Sequence, residues 1–299
     1  MIKKILSVFD YNITYYDFGD IHNHNAVYIQ GMLHSNEVNS YLVLHHLVEF
    51  LQNNPPKIPL RIVPACNPCG WRMHSFGCDG RVSFPEYVDW NRIFFTERPS
   101  NSIEFKMSNA LMDLSQGFKR VIDIHTPECG YPHVYTTNII SRLNTFDDLP
   151  YVISPHELSH AFEDSCAINR HQLANTLEVP SIDDFRFQDI QYWVKRIAEE
   201  INSYADKNYK SEQKSERTLS FGIMKNYYSE IEGVSYLLVE PNHAYPPYTQ
   251  ILEIISPNNK QVIISDCDCI PLCFRKNKLV PAGVWAMRVL QLSHKAFMS

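Results

Sequence analysis

The chain has 299 residues, of which 44% are hydrophobic and 20% are charged, a composition typical of a globular protein with a sizeable core. A formal net charge of −6 and short basic clusters, such as Lys276 with Lys278, argue against a nucleic-acid partner. No apolar run reaches the ~18 residues of a membrane span, and the apolar part of residues 1–9 is too short for a signal peptide. We therefore expect a cytoplasmic protein without a membrane partner.

Four short apolar segments predict buried strands, with helical patterns between them. The clearest helical pattern covers residues 38–51, where an apolar stripe repeats at helical spacing. Alternating strands and helices predict an α/β fold with a mixed, mostly parallel sheet covered by helices on both faces. The predicted strands cover residues 26–29, 60–63, 120–124 and 236–239.

No repeat or flexible linker divides the chain, so we expect one domain over residues 1–299. Residues 203–220 are charged and poor in apolar side chains, which predicts a loop or lid. A turn at residues 257–259 separates two strand patterns and predicts a β-hairpin. Pro281 then predicts the start of a terminal helix, completing a small unit at residues 250–299.

Polar motifs follow the predicted strands and contain candidate metal ligands. In G-M-L-H-S-N-E, His34 and Glu37 are three residues apart, so a helical turn would bring both towards one ion. A catalytic zinc takes three nitrogen or oxygen ligands and keeps one position open, and His125 in D-I-H-T is the best-placed third ligand. Asp123 and Thr126 flank it and could orient its ring. With 13 histidines in the chain, roughly one H-x-x-E is expected by chance, so the pair counts only with its companions.

Two further motifs supply groups that a bare metal site does not need. In D-W-N-R, Asn91 and Arg92 suit a substrate carboxylate, because a guanidinium forms two parallel hydrogen bonds and an amide adds a donor. The alternative is a structural ion pair between Arg92 and Asp89. Glu240 ends the apolar segment Y-L-L-V, where a general base beside zinc would explain an otherwise costly carboxylate. A backbone-bonded carboxylate is the alternative there.

A rival zinc motif, H-E-x-x-H, is formed by His156, Glu157 and His160. It requires both histidines within a continuous helix, whereas Pro155 directly precedes the first of them. The segment is more typical of a helix start, with Ser154 as its cap. A zincin-type endopeptidase is therefore a less favoured alternative.

The eight cysteines allow one further metal site. In a reducing compartment they are expected to be free thiols. Their spacing also permits a structural zinc held jointly by Cys66, Cys69, Cys267, Cys269 and Cys273. We regard free thiols as the better interpretation.

The order H-x-x-E, Asn-Pro, D-x-N-R, D-x-H-T and a late glutamate resembles the zinc carboxypeptidase superfamily, particularly its succinylglutamate desuccinylase and aspartoacylase branch. The matched stretch covers residues 31–240. Two features favour this branch: a threonine follows the third ligand, and 125 − 37 = 88 residues separate the second and third ligands. The resemblance implies a three-layer α/β/α sandwich.

The resemblance also implies one Zn²⁺ per chain and a role for each matching residue. An arginine between Asn-Pro and Asn-Arg would stabilise the oxyanion; Arg81 is our candidate and Arg72 the alternative. Zinc binding would fall to His34, Glu37 and His125, water activation to Glu240, and substrate-carboxylate binding to Asn91 and Arg92.

The function implied is hydrolysis of an amide bond next to a substrate carboxylate, as in an N-acyl amino acid deacylase. A metallocarboxypeptidase that releases C-terminal residues from peptides is the main alternative, and a non-enzymatic binding protein on the same scaffold is another. The loop around residues 71–88 and the residues after Glu240 depart from the branch's usual pattern, which favours a different substrate. The oligomeric state stays open.

Overall fold

The computed structural model describes residues 1–75, 80–83, 87–127, 130–137, 141–153, 159–180, 186–205, 220–241, 243–275 and 279–292. The α-helices of these residues are α1 (Val38–Asn53), α2 (Pro68–Ser75), α3 (Ile103–Ser115), α4 (Phe162–Arg170) and α5 (Phe187–Ser203). Their strands are β1 (Ile2–Val8), β2 (Tyr11–Phe18), β3 (Val27–Gly31), β4 (Leu60–Val63), β5 (Arg120–His125), β6 (His133–Thr136), β7 (Tyr151–Ile153), β8 (Leu173–Glu178), β9 (Phe221–Tyr228), β10 (Gly233–Leu237), β11 (Gln250–Ser256), β12 (Asn259–Ile264), β13 (Cys269–Phe274), β14 (Leu279–Val280) and β15 (Trp285–Leu292).

An eleven-stranded mixed sheet runs in the order β1-β2-β4-β3-β5-β8-β6-β7-β9-β15-β13. Its centre is parallel from β4 through β3 and β5 to β8. Strand β6 is antiparallel to β8, and β6, β7 and β9 are parallel to one another. A second, antiparallel sheet has the order β12-β11-β10-β14. The predicted mixed α/β architecture is confirmed.

Helices cover both faces of the large sheet. On one face, Leu44 and Leu47 of α1 and Ile197 of α5 pack with strand residues such as Ile124 in one buried cluster. On the other face, α3 and α4 pack against strand residues such as Tyr28 in a second cluster. Central strands buried on both faces are mostly apolar along their length, which explains why β3, β4 and β5 could be predicted from the sequence. Among the described residues, no helix combines the length and apolar character needed to cross a membrane.

The prediction that residues 236–239 form a buried strand of the main sheet is wrong. Strand β10 belongs to the four-stranded sheet, and its exposed residues Val234 and Tyr236 alternate with inward-facing ones. This is the pattern of an antiparallel strand with one solvated face. The apolar residues that suggested a core strand therefore alternate between a buried face and a solvent-exposed face.

The prediction of a terminal helix after Pro281 is also wrong. Gly283, at φ 79°, forms a turn, and the chain then enters β15, which pairs with β9 on one side and β13 on the other. Val289 and Leu290 are both buried although they are adjacent, as expected for a strand covered on both faces. The sheet pairings override an apolar spacing that also fits a helix.

The other predictions for the second half of the chain have mixed outcomes. The hairpin around residues 257–259 is confirmed, since β11 and β12 pair antiparallel from Ser256 with Asn259 outwards. Helix α5 continues to Ser203, so the predicted loop begins later than expected. Residues 206–219, which hold most of the predicted lid, lie outside the described residues.

Candidate metal centre and active site

His34, Glu37 and His125 meet at the carboxyl edge of the parallel strands. Their ligand atoms all lie within 4.8 Å of one another. Among the described residues, these three therefore form a group that could hold a metal ion. His34 follows β3, Glu37 is the cap residue before α1, and His125 ends β5. All three are buried. Because β3 and β5 are parallel neighbours, loops after them come together where ligand sites of such sheets form.

Glu37 joins the two histidines. Its Oε1 lies 2.7 Å from His34 Nδ1, and its Oε2 lies 2.8 Å from His125 Nδ1. The backbone N–H of Thr126 also donates to Oε2 at 3.0 Å. Burial would raise the pKa of Glu37, but the imidazoles of His125 and His34 lower it well below its usual value. The carboxyl group is thus held as an anion, as a metal ligand must be.

The outer nitrogens of both imidazoles face aspartates. His34 Nε2 lies 2.8 Å from Asp89 Oδ1, and His125 Nε2 lies 2.9 Å from Asp123 Oδ2. Such carboxylate partners fix the ring orientation of metal-bound histidines. Burial would lower the pKa of His125, but the carboxylates of Asp123 and Glu37 raise it well above its usual value.

These donor atoms also suit a divalent cation. A neutral imidazole has one N–H, so it cannot donate to carboxylates from both nitrogens at once. A cation held by the two histidines and Glu37 would leave each Nε2–H free to donate to its aspartate. Two nitrogen ligands and one carboxylate are the donor set of catalytic zinc sites, so the residues fit the predicted metal.

Of the two candidate arginines, the structure brings Arg81 to the centre. Its Nη1 donates to Glu37 Oε1 at 3.2 Å, and its Nε lies 3.5 Å from Asp89 Oδ2. Arg72 lies on α2 with an exposed side chain.

Burial would raise the pKa of Asp89, but its hydrogen bond with His34 and the positive charges of His34 and Arg81 lower it.

Asn91 and Arg92 lie in a short 3-10 helix (Trp90–Arg92) beside the centre. Asp89 caps it, accepting from the Asn91 N–H at 2.7 Å, while Asn91 Oδ1 accepts from the Phe162 N–H at 2.8 Å. The side chain of Arg92 is exposed, and its Nη1 donates to the Asn91 carbonyl. Asp89 pairs with His34 and Arg81, so the alternative ion pair between Asp89 and Arg92 is not formed among the described residues.

Glu240 does not join this group. It follows β10 in the four-stranded sheet, its side chain is 82% exposed, and its Oε2 lies 3.9 Å from His243 Nδ1. Its backbone N–H donates to the Tyr245 hydroxyl at 2.9 Å. This position removes the reason for choosing Glu240 as the base, which was burial at the end of a core strand.

The carboxylate that the structure places beside the metal centre is Glu178, which sequence reasoning missed. It ends β8 and lies in register with His125 of β5 and His133 of β6, so the three side chains share one face. Burial and the charge of Glu37 raise the pKa of Glu178 to about 7, against the lowering effect of the positive charges around it. Its Oε2 is buried without a hydrogen-bond partner among the described residues. The available signal was weak: Glu178 ends the short segment L-A-N-T-L-E, which mixes apolar and polar residues, two positions before Pro180.

The described residues do not support either of the two alternative zinc motifs. His156 and Glu157 lie outside the described residues. His160 precedes the first turn of α4 at φ 59°, outside any helix, and its Nδ1 lies 2.9 Å from the Phe94 carbonyl. The five cysteines of the alternative zinc site form no disulfide with one another and no candidate metal group among the described residues.

Fold and site together define an α/β protein with a buried His-Glu-His group that could hold a metal ion at the carboxyl edge of a mixed sheet. No family model and no curated protein matches the sequence. Solved structures do. A protein assigned to the succinylglutamate desuccinylase/aspartoacylase family from Shewanella amazonensis SB2B aligns over 97% of this chain and 98% of its own, with TM-score 0.81 and 15% identity.

Two further structures agree. A protein assigned as a succinylglutamate desuccinylase/aspartoacylase from Shewanella frigidimarina NCIMB 400 aligns over 97% of each chain, with TM-score 0.77 and 16% identity. The ectoine utilization protein EutE from Ruegeria pomeroyi, solved with product bound, aligns over 95% of this chain and 90% of its own, with TM-score 0.72 and 15% identity. The chain therefore has the fold of the succinylglutamate desuccinylase and aspartoacylase proteins, which confirms the resemblance predicted from the motifs at the level of fold.

Proposed function

We propose that this chain is a zinc-dependent hydrolase that cleaves the amide bond of an N-acyl amino acid. The observation that carries the proposal is the row formed by His125 and Glu178 on neighbouring strands, which sets a proton-accepting carboxylate beside a His-Glu-His centre. The names of the structural neighbours, succinylglutamate desuccinylase and aspartoacylase, support the reaction class.

The metal would be held by His34, Glu37 and His125. When bound there, Zn²⁺ would polarise the scissile carbonyl and make a water molecule more acidic. Asp89 and Asp123 would keep the imidazoles oriented by accepting from their Nε2–H groups. The ligands themselves do no proton transfer in this scheme.

Glu178 would act as the general base. Its carboxylate takes a proton from the attacking water and returns it to the leaving nitrogen, two transfers that need a pKa near neutrality. A pKa of about 7, set by burial and by Glu37, meets that need. A cation at the neighbouring centre would lower this pKa and favour the ionised form at neutral pH.

Arg81 and the pair Asn91–Arg92 would bind the substrate. The Arg81 side chain is 41% exposed and reaches the centre at Glu37, so it can turn to a developing oxyanion. Asn91 Oδ1 is engaged by the Phe162 N–H, which leaves its NH₂ group as the available donor. Arg92 offers its guanidinium to the substrate carboxylate.

A metallocarboxypeptidase is the second candidate, because the same Asn91–Arg92 pair would accept the C-terminal carboxylate of a peptide. A substrate panel separates the two. The zinc-loaded protein should release amino acids from N-acetyl and N-succinyl amino acids, with no release from free or C-terminally amidated peptides. Release from free peptides alone would reject the deacylase in favour of the carboxypeptidase.

A further inference from the structure

Strand β1 forms one edge of the large sheet. It pairs with β2 over its whole length, and among the described residues no strand pairs with its other side. Soluble proteins usually protect such edges with charges, proline or a bulge, because unpaired backbone groups bind other strands. This edge instead carries Ile2 and Ile5, each 59% exposed, and leads to Phe9, which is 56% exposed. Of its two lysines, one, Lys4, donates to Asp17 of β2 at 2.8 Å.

An apolar groove of about 640 Å³ lies between this edge strand and helix α3. Leu6 and Val8 line it from the strand, and Phe105 and Leu114 line it from the helix. Alternation along β1 puts its even-numbered residues on this side of the sheet. Asp113 of α3 also lines the groove, with an exposed side chain that forms no ion pair among the described residues. The groove thus offers apolar walls and one free carboxylate.

A second copy of β1 fits this edge in one antiparallel register. A two-fold axis perpendicular to the sheet sets one residue opposite itself, because facing side chains must point to the same side of the sheet. Lys4 opposite Lys4 would bring like charges together, which is destabilising. Leu6 opposite Leu6 would set Lys4 against Val8 and leave Ile2 without a strand residue to face. Ile5 opposite Ile5 avoids both faults and sets Ile2 against Val8.

The register centred on Ile5 also covers the remaining exposed apolar side chains of this edge. One position beyond the strand at each end, Met1, 52% exposed, meets Phe9 of the other copy. Lys4 of the second copy faces Leu6, on the side of the sheet where Asp113 lines the groove. A lysine therefore approaches the free carboxylate of the groove. Each of these contacts occurs twice by symmetry.

We propose that the chain forms a two-fold symmetric dimer through antiparallel pairing of β1 with β1 of a second copy, with Ile5 at the axis. The two large sheets then join into one continuous sheet, and the edge that would otherwise bind further strands is used up. This dimer does not depend on the proposed hydrolase activity.

Sedimentation velocity of the full-length protein at about 1–100 µM tests the proposal. The wild type should sediment as a dimer. Ile5→Lys sets two like charges at the axis, so it should raise the dimer dissociation constant by about hundredfold or more. The matched control is Ile264→Lys on β12, an edge strand of the other sheet, where the isoleucine is 48% exposed. That variant should remain a dimer.

Charge complementation tests the register itself. Ile5→Glu alone should also be monomeric, whereas an equimolar mixture of Ile5→Lys and Ile5→Glu should form dimers, because opposite charges then meet at the axis. A monomeric wild type, a dimeric Ile5→Lys, a mixture that stays monomeric, or dissociation by Ile264→Lys would each overturn the proposal. Circular dichroism checks that the variants fold. If Ile5→Lys does not, Ile2→Lys, which places a charge against Val8, is judged by the same criteria.

Discussion

At the scale of single residues, the carboxyl group of Glu178 is the ionisable group beside the candidate metal centre that is suited to proton exchange. It pairs in register with His125, and one of its oxygens has no hydrogen-bond partner among the described residues. A buried carboxylate without partners is costly unless it is used. Its pKa of about 7 allows it to exchange a proton at neutral pH.

The variant Glu178→Gln should therefore lose activity while keeping its metal. The amide has nearly the same shape but cannot accept a proton from water, and general-base catalysis is worth about 10²–10⁴-fold. We expect kcat on the best N-acyl amino acid to fall by that factor. Metal content and melting temperature should stay close to the wild-type values.

Glu240→Gln is the matched control, because Glu240 carries the same functional group on an 82% exposed side chain. It should retain wild-type kcat. A large loss in Glu240→Gln together with an active Glu178→Gln would reverse our assignment of the base. Wild-type activity in both variants would exclude either glutamate from the reaction.

These two glutamates show why sequence could place part of the site and not all of it. His34, Glu37 and His125 follow two strongly apolar central strands, so their meeting is predictable from strand order alone. Glu240 ends an apolar run as well, whereas the run that Glu178 ends also contains the polar residues Asn175 and Thr176. Which run lies beside β5 depends on long-range strand pairing, and a single sequence carries no local signal for that.

At the scale of elements, a buried ion pair connects the first strands of the sheet with a helix. Asp17 of β2 accepts from Arg61 Nε at 2.7 Å and Nη2 at 3.0 Å, and from Lys4 of β1 at 2.8 Å. Arg61 also donates to the Leu114 carbonyl of α3 at 3.0 Å. Asp17 is 3% exposed, so the pair belongs to the interior.

Asp17→Asn should destabilise the protein by about 3–5 kcal/mol, because it leaves the Arg61 guanidinium buried without its counter-charge. Burial would raise the pKa of Asp17, but hydrogen bonds from Arg61 and Lys4 lower it below the ordinary value of 3.8. Its stabilising effect is therefore complete above pH 3.8 and is lost as pH falls through the lowered folded-state pKa. Urea unfolding should show the same difference in the free energy of unfolding between the variant and the wild type at pH 7 and pH 5. At pH 3 this difference should be smaller.

The exposed pair of Asp266 with Lys225 provides the control for that measurement. Asp266→Asn removes a carboxylate of the same type from a solvated position, so its effect should be about 1 kcal/mol or less. A difference between Asp17→Asn and wild type that did not change between pH 7 and pH 3 would contradict the ionic origin of the effect.

Elements whose burial follows the usual pattern for their type were predictable from the sequence, and elements whose burial depends on distant strand pairing were not. Strands β3, β4 and β5 agree with their sequence patterns because they are buried on both faces, and helix α1 agrees because it buries one stripe of side chains. Strand β15 was mistaken for a helix because Met287 and Leu290 are three residues apart. Its pairing is tight: a Cβ on Gly222 of β9 would lie 1.9 Å from the Gln291 carbonyl oxygen.

At the scale of the whole molecule, the candidate metal centre brings together segments that are distant in the sequence. His34 and Glu37 bracket the turn between β3 and α1, whereas His125 ends β5, 88 positions after Glu37. An ion held by all three cross-links these elements. A ligand that binds the folded state alone stabilises it by about 2.7 kcal/mol at one hundred times its Kd.

Adding Zn²⁺ to chelator-treated protein should therefore raise its melting temperature by several degrees, and EDTA should reverse the effect. The increase should disappear in His125→Ala, which removes one nitrogen ligand. It should persist in His46→Ala. The His46 imidazole lies on α1 and contacts Glu49 at 2.9 Å, and it is not one of the three candidate ligands. Differential scanning calorimetry of the three proteins with and without Zn²⁺ measures all these effects.

The same experiment decides between the two zinc motifs of the chain. If the metal is held by His34, Glu37 and His125, then His160→Ala should keep the full zinc-dependent increase, because His160 lies outside α4 and its ring contacts the Phe94 carbonyl. An increase that survives in His125→Ala and disappears in His160→Ala would place the metal at H-E-L-S-H. The general-base role of Glu178 would then lose its basis, because that role depends on a metal beside His125.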